Sequence, residues 1–248
     1  MSIVSSESDA MPLVLVTGAS GQTGRHIVEQ LRSSGVSLRS FVRDDVKADS
    51  LGASANERFV GDLRSSSDVA AAMRGCSHLI IAAGAVPKMS LVDGARRFHF
   101  EPTQFPEDID YRATQAQATA AQAAGVRRIV LVSSAGVTDP NHRLNQLGDS
   151  QLMTWKLKGE DAVRASGVSY AIVRPGRLLN EAPPGVAHRA LRVAADDTHA
   201  GQVLRTDLAA LCLAAALDDS LPSMTFNLFA EAGPRQDDLR SVLHALVP

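Results

Sequence analysis

A chain of 248 residues, 45% apolar and 21% charged, has the balance of one large soluble domain, or a domain with a small appendage. Its net charge of −2, with both signs interspersed, argues against a nucleic-acid surface or a polybasic membrane patch, and no apolar run approaches the roughly 18 residues of a membrane span. Cys76 and Cys212 stand far apart inside apolar stretches and read as buried thiols in a reduced compartment, so the expected location is cytoplasmic.

Residues 1–11, "MSIVSSESDAM", lack the charged start and apolar core of a signal peptide, and Glu7 and Asp9 argue against a transit peptide; a short disordered lead-in is expected. "LVLVTG" (13–18) predicts a buried strand, and 23–35 a helix with Ile27, Val28 and Leu31 inward and Gly35 ending it. Strands follow at 37–43 and 57–62, a helix at 66–75 and a fourth strand at 78–85. A helix from about 108 to 124 precedes the strand 128–134, and a helix at 150–166 precedes the strand 169–176. Thr206 is expected to begin a helix over 206–217, before a last strand at 225–229 and a helix around 235–246. Strands alternating with helices at this spacing mean an α/β fold, a parallel sheet covered on both faces.

Two connections, 84–107 and 176–204, are too long for turns, and both leave the C-terminal ends of strands, the edge where open α/β sheets bind ligands. Phe98, Phe100 and Phe105 argue for order in the first. The helix 111–125 carries small side chains suited to packing on its own sheet or on a second subunit, which leaves monomer and homodimer both open.

The chemistry begins at "VTGASGQTGR". Gly18, Gly21 and Gly24 form G-x-x-G-x-x-G between the first strand and first helix, with Ala19, Ser20, Gln22 and Thr23 supplying further main-chain amides. Glycine permits the sharp turn, the close approach of backbone to a diphosphate and tight packing of helix on strand, while the helix N-terminus offers unpaired N–H groups. The second strand ends in "FVRDD". An acid there would hold a ribose 2′-hydroxyl and an arginine a 2′-phosphate. The code is mixed, but Arg43 comes first and favours NADP(H), with NAD the alternative and a surface pairing of Arg43 with Asp44 or Asp45 the structural one. Asp62 and Leu63 fall where an adenine edge would lie, and Ala82, Ala83 and Gly84 let a ribose pass close over the backbone.

These motifs, with "AGVRRIVLVSSAG" (124–136), "SGVSYAIVRPG" (166–176) and "RTDLA" (205–209), resemble the atypical short-chain dehydrogenases/reductases, best the NmrA-like NAD(P)H-binding subgroup of plants and bacteria. "AVPKM" (85–89) and "WKLKGE" (155–160) look like a plant member of it. The resemblance runs from Leu13 to about Phe229. It implies a Rossmann-type doubly wound sheet in one domain (12–248), a substrate region from 84–107, 176–205 and the C-terminal end, and Pro175 and Gly176 beside the nicotinamide.

The wider family transfers hydride with Tyr-x-x-x-Lys and an upstream serine, its lysine four residues before a glutamate. That spacing picks Lys156, before Glu160, and puts Leu152 where the tyrosine should be. Four residues beyond the only tyrosines, Tyr111 and Tyr170, stand Gln115 and Arg174, so no register restores the pair. The serine position falls on Ser133 or Ser134, or in another register on Ala135. Lys156 could still hold the nicotinamide ribose, and Lys156 and Ser134 are the candidate catalytic groups. Loss of a general acid typically costs about 10² to 10⁴ in rate, which points to an acceptor that takes its proton from solvent, such as a quinone or flavin. The alternative is a non-catalytic cofactor sensor; epimerase chemistry, which leans on the tyrosine, is poorer. The seven histidines show no metal-ligand spacing, so no metal is expected, and the small-molecule substrate stays unidentified.

Overall fold

The computed structural model describes residues 11–52, 57–182, 189–197 and 201–247, so the expected lead-in lies outside the described residues except for Met11. The first half of the chain supplies β1 (Leu13–Thr17), α1 (Gln22–Ser33), β2 (Ser37–Val42), α2 (Asp45–Asp49), β3 (Glu57–Val60), α3 (Ser66–Met73) and β4 (His78–Ile81), then β5 (Lys88–Val92) and β6 (Ala95–His99). The second half supplies α4 (Ala113–Ala123), β7 (Arg128–Val132), α5 (Leu152–Ala165), β8 (Ser169–Pro175), β9 (Arg177–Leu179), β10 (Arg189–Ala194), β11 (Gln202–Leu204), α6 (Arg205–Ala216), β12 (Met224–Ala232) and α7 (Leu239–His244).

Seven strands lie parallel in the order β3-β2-β1-β4-β7-β8-β12. β10 and β11 pair antiparallel with β12, and β9 runs parallel to β11. The sequence dictates this because the central strands are apolar on both faces. Val14 and Val16 join a cluster with Ile27, Val28 and Leu31 of α1 and Leu208, Leu211 and Cys212 of α6. Leu15 points the other way, into a cluster with Met73 of α3, Ala118 and Ala121 of α4 and Val163 of α5. Strands covered twice read as unbroken apolar runs. The small side chains of α4 thus serve its own sheet. The Rossmann-type order also sets the position of the site: from β1 the chain winds out through β2 and β3 and returns on the other side at β4, opening a crevice at the C-terminal ends of β1 and β4.

Several expectations need correction. Residues 84–107 carry the β5–β6 hairpin and a 3₁₀ turn at Pro102–Gln104. Phe100 and Phe105 meet edge to face at 6.2 Å, but Phe98 sits exposed on the hairpin and anchors nothing. Thr206 does not begin α6, which starts at Arg205 after Leu204 with no side-chain cap. The last strand is longer than expected, because β10 pairs along it as far as Ala232. Where described, the second long connection contains β9, β10 and β11; residues 183–188 and 198–200 lie outside the described residues.

Candidate functional site

Gly18 follows β1 with φ of 69°, and a Cβ there would stand 2.5 Å from the Ala83 nitrogen beyond β4. Only glycine allows this crossing. The Gly21 N–H donates to the Gly18 carbonyl at 2.9 Å, and Gly21 precedes α1 with no side-chain cap and no acid in the first helical turn. The leading amides of α1 are therefore left to an external acceptor, which suits a phosphate. Arg25 fixes the loop by donating to the Ser20 carbonyl at 3.0 Å and to Ser50 Oγ, just past α2, at 3.0 Å.

The loop forms one wall of a cleft of about 760 Å³. Gly18, Ser20, Gly21, Gln22 and Thr23 line it from the phosphate loop, and Arg43, Asp62 and Leu63 from the ends of β2 and β3. Ala82, Ala83 and Gly84 follow β4; Ser133 and Ser134 follow β7; Lys156 comes from α5, and Pro175 and Gly176 from the end of β8. Two expected residues stand behind the wall. The Ala19 side chain is buried in the core, and Gly24 packs so tightly on the Gly18 carbonyl that a Cβ would collide with it.

Arg43 makes no side-chain hydrogen bond or ion pair with the described residues, while the Asp44 carboxylate caps α2 by accepting from the Lys47 N–H at 2.7 Å. The acid that follows the arginine in sequence is thus occupied with local structure. Asp62 is clamped by Arg64, whose Nη2 lies 2.6 Å from Oδ2, and that hydrogen bond holds its carboxyl below the usual value, with the Arg43 charge helping to lower it.

Lys156 Nζ donates to Asp110 Oδ1 at 2.6 Å, and Asp110 Oδ2 accepts from the Ala85 N–H at 3.1 Å. Asp110 lies in a π-helical turn, Glu107–Arg112, that leads into α4. α5 crosses this turn at Gly159, where a Cβ would run into the Asp110 carbonyl. That close crossing brings Lys156 within reach of Asp110. Leu152, at the expected tyrosine position, is sealed in an apolar cluster with Ala85, Phe100 and Ile109. The two candidate serines differ. Ser133 Oγ donates to Glu160 Oε1 at 2.6 Å, and Glu160, fully buried, also takes Arg174 through Nε at 3.0 Å and Nη2 at 2.6 Å. Among the described residues, Ser134 Oγ makes a single 3.2 Å bond, to the Ala135 carbonyl. Trp155 stacks on Tyr111 at 5.9 Å beneath Lys158, so that lysine belongs to a surface cluster.

Sequence reasoning missed Asp110, Arg177 and Arg205. Asp110 sits among acids that read as an ordinary helix start; only the π turn aims it inward. Among the described residues no group of three or more His, Cys, Asp or Glu could hold a metal.

A cleft with a glycine-tight loop on a free helix N-terminus, at the switch point of the sheet, fits a dinucleotide. A family model described as NAD(P)H-binding matches residues 18–219. The chain belongs to this NAD(P)H-binding family. Sanguinarine reductase of Eschscholzia californica is 34% identical, the match covering 87% of this chain and 88% of that protein. Among solved structures, ChuY, an anaerobillin reductase from Escherichia coli O157:H7, superposes with a TM-score of 0.69 at 25% identity, covering 88% of this chain and 96% of that one. A Rossmann-fold NAD(P)-binding family protein from Shigella flexneri shares the fold, with a TM-score of 0.64 at 19% identity over 92% of this chain and 98% of that one. Membership accords with the NmrA-like, atypical reductase character of the motifs, in a reductase-like family that takes a nicotinamide cofactor.

Proposed function

We infer that the protein is an NADP(H)-dependent reductase of conjugated acceptors that take their proton from water, such as quinones or flavins. The observation that carries the reading is the pairing of a Lys156 ammonium, held at the cleft by Asp110, with a leucine at the expected proton-donor position. Lys156 is suited to hold the nicotinamide ribose, Arg43 a 2′-phosphate, the amides from Gly18 to Gly24 the diphosphate, and Ser134 to donate toward the acceptor. A bound reduced nicotinamide supplies a hydride, two electrons and one proton; a second proton from water completes reduction of the acceptor. The acceptor must spread the added charge itself, because no phenol lines the cleft among the described residues. Two similar proteins carry reductase names, which supports reduction as the chemistry.

The test follows NADPH absorbance with menadione, riboflavin, benzaldehyde and acetophenone as acceptors. Turnover is expected with the first two and none above background with the last two. NADPH binding without turnover of any acceptor would replace this reading by the rival one, a non-catalytic cofactor sensor, whose support is the same buried Leu152.

A further inference from the structure

Of the described charged side chains lining the cleft, four are basic, Arg43, Lys156, Arg177 and Arg205, and one, Asp62, is acidic. Lys156 is neutralised by Asp110, and Arg43 stands at the end expected to hold the cofactor's 2′-phosphate. Arg177 and Arg205 remain, both beyond Gly176, at the end of the cleft where the acceptor would lie. Parallel pairing of β9 with β11 sets Leu179 opposite Leu204, so the next residues of the two strands, Asn180 and Arg205, stand side by side. Asn180 Oδ1 accepts from Arg205 Nη1 at 2.7 Å and fixes the plane of the guanidinium.

The opposite edge has no such partner. Arg205 Nε is shielded from solvent with no acceptor among the described residues, and the bond to Asn180 uses Nη1. Burial alone pushes the Arg205 pKa down, with no carboxylate beside it to offset the cost. A guanidinium N–H shielded from water without an acceptor costs stability unless something is gained from it. The Nε–Nη2 edge is the fork that receives the two oxygens of a carboxylate in parallel hydrogen bonds. Around it the walls are apolar: Ala85, Val86, Pro87, Ile109, Leu144 and Leu178.

We propose that Arg205, oriented by Asn180, recognises a carboxylate on the acceptor, whose body is apolar. This rests on the reductase reading of the cleft and narrows its substrate class.

The probes are 2-naphthoate, its neutral isostere 2-naphthamide, and 2-naphthyl phosphate, each titrated calorimetrically into protein saturated with NADP⁺. Wild type is expected to bind naphthoate at least about tenfold more tightly than the amide. Arg205→Met should erase that preference while leaving NADPH affinity within about twofold; Arg205→Lys, which keeps the charge but not the fork, should retain part of it. Melting temperatures check that both variants are folded, and the lysine variant carries the test if the methionine one is not. Equal binding of naphthoate and naphthamide by wild type overturns the proposal. So does a loss of NADPH affinity in a folded Arg205 variant, which would assign the arginine to the cofactor. Tighter binding of the phosphate overturns the choice of carboxylate. Failure of wild type to bind NADPH at all would instead strike the underlying reading of the cleft.

Discussion

Lys156 Nζ lies 2.6 Å from Asp110 Oδ1 across the crossing of α5 with a π turn, and their side chains are 17% and 2% exposed. Breaking such a pair from one side leaves an uncompensated buried charge, at a cost of about 3 kcal/mol. Lys156→Met should lose about that much in urea denaturation. The double variant Lys156→Met/Asp110→Leu should recover a large part of it, since both charges are then gone. Simple additivity of the two single changes would show that the pair is not coupled.

Leu152→Tyr restores a phenol four residues before Lys156, yet it should not restore carbonyl reduction. The side chain enters the cluster of Ala85, Phe100 and Ile109, where the larger ring overpacks and the hydroxyl lacks an acceptor. The expected outcome is a loss of about 1–3 kcal/mol in denaturant unfolding. Turnover of benzaldehyde should stay at background; an appreciable gain would mean that the phenol reaches the cleft after all.

Arg43→Ala tests which dinucleotide the cleft prefers. Charge-assisted hydrogen bonds to a phosphate are worth roughly 1.5–3 kcal/mol, so the NADPH dissociation constant should rise about 10- to 100-fold. NADH, which has no 2′-phosphate, should bind within about twofold of wild type. Equal losses for both cofactors would remove Arg43 from the role of discriminator.

The phosphate loop was legible because its demands are local: a positive φ at Gly18 and a close approach at Gly24 admit one residue type, and the flanking strand and helix periodicities frame them. The main strands were legible because the two-sided core requires continuous apolar runs. The lysine was found by spacing from Glu160, but its partner was not. Asp110 is made special by the π turn and by the backbone contact at Gly159, and neither has a signature in one sequence. Arg205 is likewise marked by what does not face its Nε, which is a property of the assembled cleft. The hairpin at 88–99 has no clear signature in the sequence, because its exposed Met89, Leu91 and Phe98 alternate with too little regularity to announce two strands.

Asp197 joins the segment after β10 to the loop after β7, and it should make stability depend on acid. Its carboxylate accepts from the Gly136 N–H at 2.8 Å, the Thr138 N–H at 3.0 Å and Thr138 Oγ1 at 2.8 Å, with Arg174 Nη1 at 3.7 Å. Burial pushes its pKa up, but these N–H groups, the Thr138 hydroxyl and the arginine outweigh it and hold the pKa below 3.8. A carboxyl with a depressed pKa in the folded state binds fewer protons there than in the unfolded chain. Its stabilising contribution is complete above the unfolded value and is lost as pH falls through the lower folded one. Asp197→Asn, which cannot accept from so many donors as an anion can, should melt below wild type at neutral pH. The gap between the two melting temperatures should hold steady down to about pH 5 and close as pH falls below the unfolded value of 3.8. A gap that is constant across the acid range, or that widens toward low pH, would mean that the Asp197 charge is not what ties the two segments together.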